Sequence, residues 1–114
     1  MAQQLYDIAN NMERELRKSK EYQALKEAFE QVHNNAEAKK EFEAFKAITM
    51  KFQEMQMSGK QPSEKDIEEA QQGALKAQEN ELIVSLMKAE QAMSVLMEDL
   101  NKIITQPLAD IYNN

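Results

Sequence analysis

The chain has 114 residues, a formal net charge of −6, and neither cysteine nor tryptophan. That length supports one domain over residues 1–114. The lack of cysteine excludes disulfides, thiolate metal sites, cysteine-ligated iron–sulfur clusters and cysteine nucleophiles.

Two glycines and two prolines stand among abundant Glu, Lys, Gln, Ala, Leu and Met. Straight-chain helix formers with so little punctuation predict an all-α fold. The charge is uneven. Residues 1–60 hold ten basic and ten acidic side chains, whereas residues 61–114 hold four and ten. An acidic half is a poor nucleic-acid surface, because phosphates require neutralising cations. Apolar runs such as Leu82-Ile83-Val84 are far too short to span a bilayer, and the opening MAQQLYDIANN lacks the apolar core of a signal peptide. The expectation is a soluble cytoplasmic protein with no membrane insertion.

The first predicted helix covers about residues 4–18, with Leu5, Ile8, Ala9, Met12 and Leu16 as its apolar stripe. Ser19 is suited to cap a second helix over 20–33, whose stripe is Tyr22, Leu25, Phe29 and Val32. One helix bent near Ser19 is the alternative. Asn35 is placed to cap a third helix over 36–58. There Ala38, Phe42, Phe45, Ile48, Phe52 and Met55 form a seam. Gly59 suits a left-handed helix end, and Pro62 prevents continuation.

Ser63-Glu64-Lys65-Asp66 is a capping-box-like start for a helix that reaches about Thr105, with a break expected near 78–80 or a partner covering it. Leu82, Leu86, Ala89, Met93, Leu96, Leu100 and Ile103 repeat at gaps of four and three, the seam of a helix packed lengthwise on others. Ile83, Met87, Met97 and Ile104 flank it. Small residues at Ala70, Ala74 and Ala77, with Ile67, permit close helix approach. Pro107 is expected to end the last helix, with Leu108, Ile111 and Tyr112 folding back as a short turn.

No catalytic constellation emerges. His33 is the only histidine, and alone it reads as structural or solvent-exposed. Glu37, Glu41 and Glu90 fall short of a di-metal bundle, which needs paired Glu-x-x-His motifs; only Glu30 and His33 have that spacing. These glutamates read as solvating charges, with Glu37–Lys40 and Glu54–Lys51 as pairs. Arg14, Arg17, Lys18 and Lys20 form a basic cluster diluted by Glu13, Glu15 and Glu21. Without interleaved aromatics to stack bases, it reads as a solvated face. Met12, Met87, Met93 and Met97 are expected to fill core gaps, while Met50, Met55 and Met57 gather near the end of the third helix, where an adaptable partner surface is the other reading.

Ordered fragments along the chain resemble the YlbF/YmcA family of small bacterial helical proteins, most of all its YheA branch. They are Leu5-Tyr6-Asp7-Ile8-Ala9, Leu16-Arg17-Lys18-Ser19-Lys20-Glu21-Tyr22, Phe42-Glu43-Ala44-Phe45, Gln56-Met57-Ser58-Gly59 and Leu86-Met87-Lys88-Ala89-Glu90-Gln91. Asn101-Lys102-Ile103-Ile104 and Pro107-Leu108-Ala109-Asp110-Ile111-Tyr112 complete the set. The resemblance implies a cytoplasmic, self-associating, non-enzymatic regulator of a Gram-positive bacterium, acting on competence, biofilm formation, sporulation or RNA processing through protein partners. It supplies no catalytic residues, and the cluster binding linked to such complexes does not carry over to a chain without cysteine.

The expected architecture is therefore an elongated antiparallel bundle of four to five helices that dimerises, because its apolar seams exceed what one short chain can cover. The self-association residues are Phe42, Phe45, Phe52, Met55, Leu86, Met93, Leu96 and Leu100. No cofactor or metal is expected. The expected function is a non-catalytic interaction or adaptor protein with an unidentified protein partner. An RNA-associated factor using the cluster from Arg14 to Lys20 is the alternative, followed by a carboxylate metal enzyme.

Overall fold

The computed structural model describes residues 2–113. Within them are five helices: α1 Ala2–Lys18, α2 Lys20–His33, α3 Ala36–Ser58, α4 Glu64–Glu79 and α5 Glu81–Tyr112. No strand forms among the described residues. No helix among them is long and apolar enough to cross a membrane.

Each junction has a local cause. Ser19 breaks the backbone between α1 and α2: its hydroxyl donates to the Leu16 carbonyl at 2.6 Å and accepts from the Tyr22 N–H at 3.1 Å. One side chain thus serves the last turn of α1 and the first of α2. Asn35 is extended, and its Oδ1 accepts from the Ala38 N–H at 2.9 Å. At the other end of α3, Gly59 takes φ 75°, a conformation that carries little cost only without a Cβ. The Gly59 N–H then reaches the Gln56 carbonyl and the Lys60 N–H the Met55 carbonyl, at 3.4 and 2.9 Å, a paired closure of the helix end. Ser63 and Asp66 form a reciprocal capping box at the start of α4, both bonds being 3.1 Å.

The expected break near 78–80 falls at Asn80, which is extended at φ −93° and ψ 113°. Its N–H closes on the Ala77 carbonyl at 3.3 Å. Its Oδ1 accepts from the N–H of Leu82 at 3.0 Å and of Ile83 at 3.4 Å. Asn80 thereby ends one helix and begins the next.

Two compact units divide the chain. One holds residues up to Glu27 and from Lys88 onward; the other is Ala28–Met87. In the second unit α3 and α4 pack as an antiparallel pair. Lys51 faces Asp66, Ile48 faces Gly73 and Glu41 faces Asn80, so numbers rise on one helix as they fall on the other. This unit buries Ala28, Val32, Ala38, Ala77, Ile83 and Leu86; of these, only Ile83 and Leu86 are large side chains that are fully enclosed. In the first unit Ala89 is buried, and Met12, Leu16, Tyr22, Leu25, Met93, Leu96 and Leu100 are half-buried.

Three expectations need correction. Pro107 does not end the last helix, which runs on to Tyr112. Proline lacks an N–H and crowds the carbonyl four residues back, yet residues 101–108 are all exposed, so the freed Ile103 carbonyl can turn to water. Gln106 Nε2 donates across the proline to Asp110 Oδ1 at 2.8 Å, and the Asn113 N–H bonds the Ala109 carbonyl at 2.9 Å. Leu108, Ile111 and Tyr112 accordingly form no returning turn. Finally, Phe29 is 53% exposed while its neighbour Ala28 is buried. The α2 stripe passes through Leu25, Ala28 and Val32 instead, leaving Phe29 stacked on His33 with centroids 6.1 Å apart.

Asn80→Ala removes the acceptor for two amides at the head of α5. It is expected to lower unfolding stability by about 1 kcal/mol, read as a reduced urea midpoint with an unchanged slope.

Candidate functional site

Along α3, Phe42, Phe45, Ile48, Phe52 and Met55 recur every three or four residues, and all five are half-buried. Spacing alone places them on one side of the helix. Phe45, Ile48, Phe52 and Met55 line a groove of about 680 Å³. Ala70 of α4, the turn residues Gly59, Lys60, Gln61 and Pro62, and Thr49, Gln53 and Gln56 of α3 complete it. Gly73 sets the approach of the two helices: a Cβ there would meet the Ile48 Cδ1 at 2.9 Å.

Polar side chains line the groove as well, at Thr49, Gln53, Gln56, Lys60 and Gln61. Lys51 Nζ bonds Asp66 Oδ1 at 2.8 Å, tying α3 to the first turn of α4. Lys51 therefore serves Asp66, not Glu54. Lys46 Nζ lies 5.6 Å from the centre of the Phe42 ring, a cation–π distance. The only ionisable side chain lining the groove is Lys60. The groove thus combines apolar side chains with amide and hydroxyl groups and a single lysine.

A smaller cleft of about 290 Å³ is lined by Glu37, Lys40, Glu41, Ala44, Gly73 and Lys76. Glu41 Oε2 accepts from Asn80 Nδ2 at 3.4 Å, so this carboxylate helps hold the α4–α5 junction. Glu37 and Lys40 make no ion pair among the described residues. Nor does any group of three or more His, Asp or Glu side chains among them converge as a metal site would require. In the basic cluster, Arg17 is held by Glu13 at 2.8 Å, Lys18 by Glu15 at 3.5 Å, and Arg14 donates to Asn11. The Arg17 bond holds the Glu13 carboxyl below its usual range and raises the guanidinium. Two of the cluster's four charges, those of Arg17 and Lys18, are thus paired within α1.

The eight anticipated self-association residues divide by unit. Phe42, Phe45, Phe52 and Met55 lie on α3 in the second unit, where three of them line the groove. Met93, Leu96 and Leu100 lie half-buried on α5 in the first unit. Leu86 is 1% exposed, enclosed by its own chain, and so is not available to a partner in this conformation. The features that spacing arguments missed are the Gly73–Ile48 contact and the double cap at Asn80. Gly73 had a signal, being the one glycine inside a helix, where it costs about 1 kcal/mol relative to alanine unless close packing requires it.

Fold and groove together define an all-helical protein with apolar seams on α3 and α5 and an open groove beside the α3–α4 turn. The family described as "Control of competence regulator ComK, YlbF/YmcA" matches residues 5–109. The chain belongs to that family, in its YheA-like branch. A UPF0342 protein of Listeria monocytogenes serovar 1/2a is 44% identical over 113 residues, spanning 99% of this chain and 97% of the relative. A UPF0342 protein of Staphylococcus aureus strain Newman is 46% identical over 112 residues, covering 98% of each. Among solved structures, a DUF964 protein from Bacillus stearothermophilus matches with TM-score 0.85 and 32% identity over 96% of both chains. The yheA protein of Bacillus subtilis matches with TM-score 0.71 and 36% identity over 94% of this chain and 97% of that one.

The Lys51 ammonium, then the Ser63 N–H and hydroxyl, hold the Asp66 carboxyl down at about 2 from an ordinary 3.8. The stabilisation from ionised Asp66 is therefore complete above about 3.8 and disappears as pH falls from there through about 2. Carboxyl NMR should report a midpoint near 2. Lys51→Met should move it up toward 3.8, with Ser63 keeping it somewhat lower; an unmoved midpoint would remove the Lys51 contact as the main cause.

Proposed function

We propose that this chain is a non-catalytic, cytoplasmic protein-interaction protein that forms a homodimer and acts as a regulatory adaptor. The observation carrying this reading is the pair of apolar seams on α3 and α5. Their side chains at Phe42, Phe45, Phe52, Met55, Met93, Leu96 and Leu100 are only half covered by their own chain. Four of the seven buried residues are alanines, so the covered core contributes little area. Large half-exposed side chains along a helix seam lose more water contact when a second molecule covers them. Membership of a family described by control of the competence regulator ComK supports a regulatory role reached through protein contact. The organisms of the relatives, Listeria and Staphylococcus, favour a Gram-positive setting.

Sedimentation velocity at tens of micromolar, a range that populates complexes of roughly micromolar affinity, should show a dimer. The double variant carrying Phe45→Asp and Leu96→Asp should be monomeric, since each carboxylate places an unpaired charge in an apolar contact. Wild-type protein that stays a folded monomer would overturn the self-association. Crosslinking in the native host that captures no protein partner would remove the adaptor role.

A further inference from the structure

The groove beside the α3–α4 turn is graded in its chemistry from one end to the other. Its α3 wall runs from Phe45 to Gln56, about 17 Å at the helical rise of 1.5 Å per residue. Phe45, Ile48 and Phe52, with Ala70 of α4, make the far part apolar. Thr49, a polar residue among them, already donates its hydroxyl to the Phe45 carbonyl at 3.0 Å. At the turn the wall changes to Gln56, Lys60 and Gln61. Lys60 belongs to none of the ion pairs among the described residues. The chain carries 20 acidic residues, yet none of them lines this groove. Met55 stands between the two parts, and its unbranched thioether can repack around chains of different length.

An apolar trough that ends in one ammonium and two amides is complementary to an apolar chain with a single anionic head. The size agrees. The groove of about 680 Å³ falls within the roughly 300–1,000 Å³ of small-molecule clefts. A partner protein would have to reach well beyond this trough to bury about 800 Å² on each side.

The head that fits is a carboxylate rather than a phosphate. A phosphate carries nearly two charges and draws on arginine or on a helix N-terminus. Here the turn follows the C-terminus of α3, the negative end of its dipole. The start of α4 is already occupied by its own capping box of Ser63 and Asp66. One lysine balances one carboxylate, with the Gln56 and Gln61 amides as neutral donors.

We infer that the α3–α4 groove is a binding site for a straight-chain fatty acid, its acyl chain lying along Phe52, Ile48 and Phe45 and its carboxylate paired with Lys60. One chain builds the whole site, so the inference does not depend on the proposed homodimer.

Decanoate is the probe, titrated below its micelle-forming range into protein carrying isotope-labelled methionine methyls and followed by NMR. The Met55 methyl should shift saturably. Met57, 89% exposed, and Met50, 58% exposed, lie outside the groove wall and should stay in place. Octanoate should bind roughly tenfold more weakly, the effect of two fewer buried methylenes. Lys60→Met, at an exposed position, should keep the helical circular dichroism of wild type. It should weaken decanoate about tenfold, the scale of one charge-assisted hydrogen bond, and leave the binding of neutral decanol unchanged. Thr49→Trp, also at an exposed position, fills the apolar part and should weaken both ligands. The site is overturned by a Met55 methyl that ignores decanoate, by methionine methyls that all move together, or by decanoate affinity that either variant leaves intact. A Met55 methyl that responds to protein concentration but not to decanoate would give the groove to a second copy, ending this inference and leaving the homodimer standing.

Discussion

Gly73 determines how near α4 comes to α3, and most of the second unit follows from that distance. With no Cβ in the way, the terminal methyl of Ile48 settles against the α4 backbone, and Ala77 is enclosed one turn further along. Antiparallel registration then brings Lys51 onto Asp66 at one end and Glu41 onto Asn80 at the other. Small residues at a helix contact trade side-chain area for proximity. The pair is therefore held by close backbone approach and a few polar ties rather than by a thick apolar layer. Large apolar side chains of α3 are displaced to the edge of the contact, where Phe45, Phe52 and Met55 line an open groove.

The same economy shapes the chemistry. The one strongly displaced carboxyl, Asp66, owes its low pKa to a surface lysine and a helix cap, a structural arrangement that holds two helices together. Apolar area that the chain does not cover is the main free energy it has left to use. The proposed association with another protein would draw on it.

Helix boundaries were legible because each is decided by atoms within a few residues. Asn35 accepts from the amide three positions on, Ser63 and Asp66 exchange bonds over the same interval, and Gly59 needs only the absence of its own Cβ. Ser19 and the break at Asn80 belong to the same class. Pro107 misled for the complementary reason. A proline rule describes one lost amide, whereas the helix beyond it depends on whether the freed carbonyl reaches water, a matter of exposure that no local pattern encodes.

By itself, then, the sequence determined an all-α chain of four to five helices, the caps at Ser19, Asn35, Gly59 and Ser63, and the apolar faces of α3 and α5, since periodicity and capping act over single turns. Only the tertiary structure decided which parts of those faces are covered. Ala28 rather than Phe29 was turned inward, Leu86 was closed into the core, and Ile103 was left open although it continues the same repeat. Periodicity specifies the direction a side chain points around its own axis. Whether anything lies in that direction depends on helices distant in sequence, and their approach is fixed by contacts such as Gly73 on Ile48.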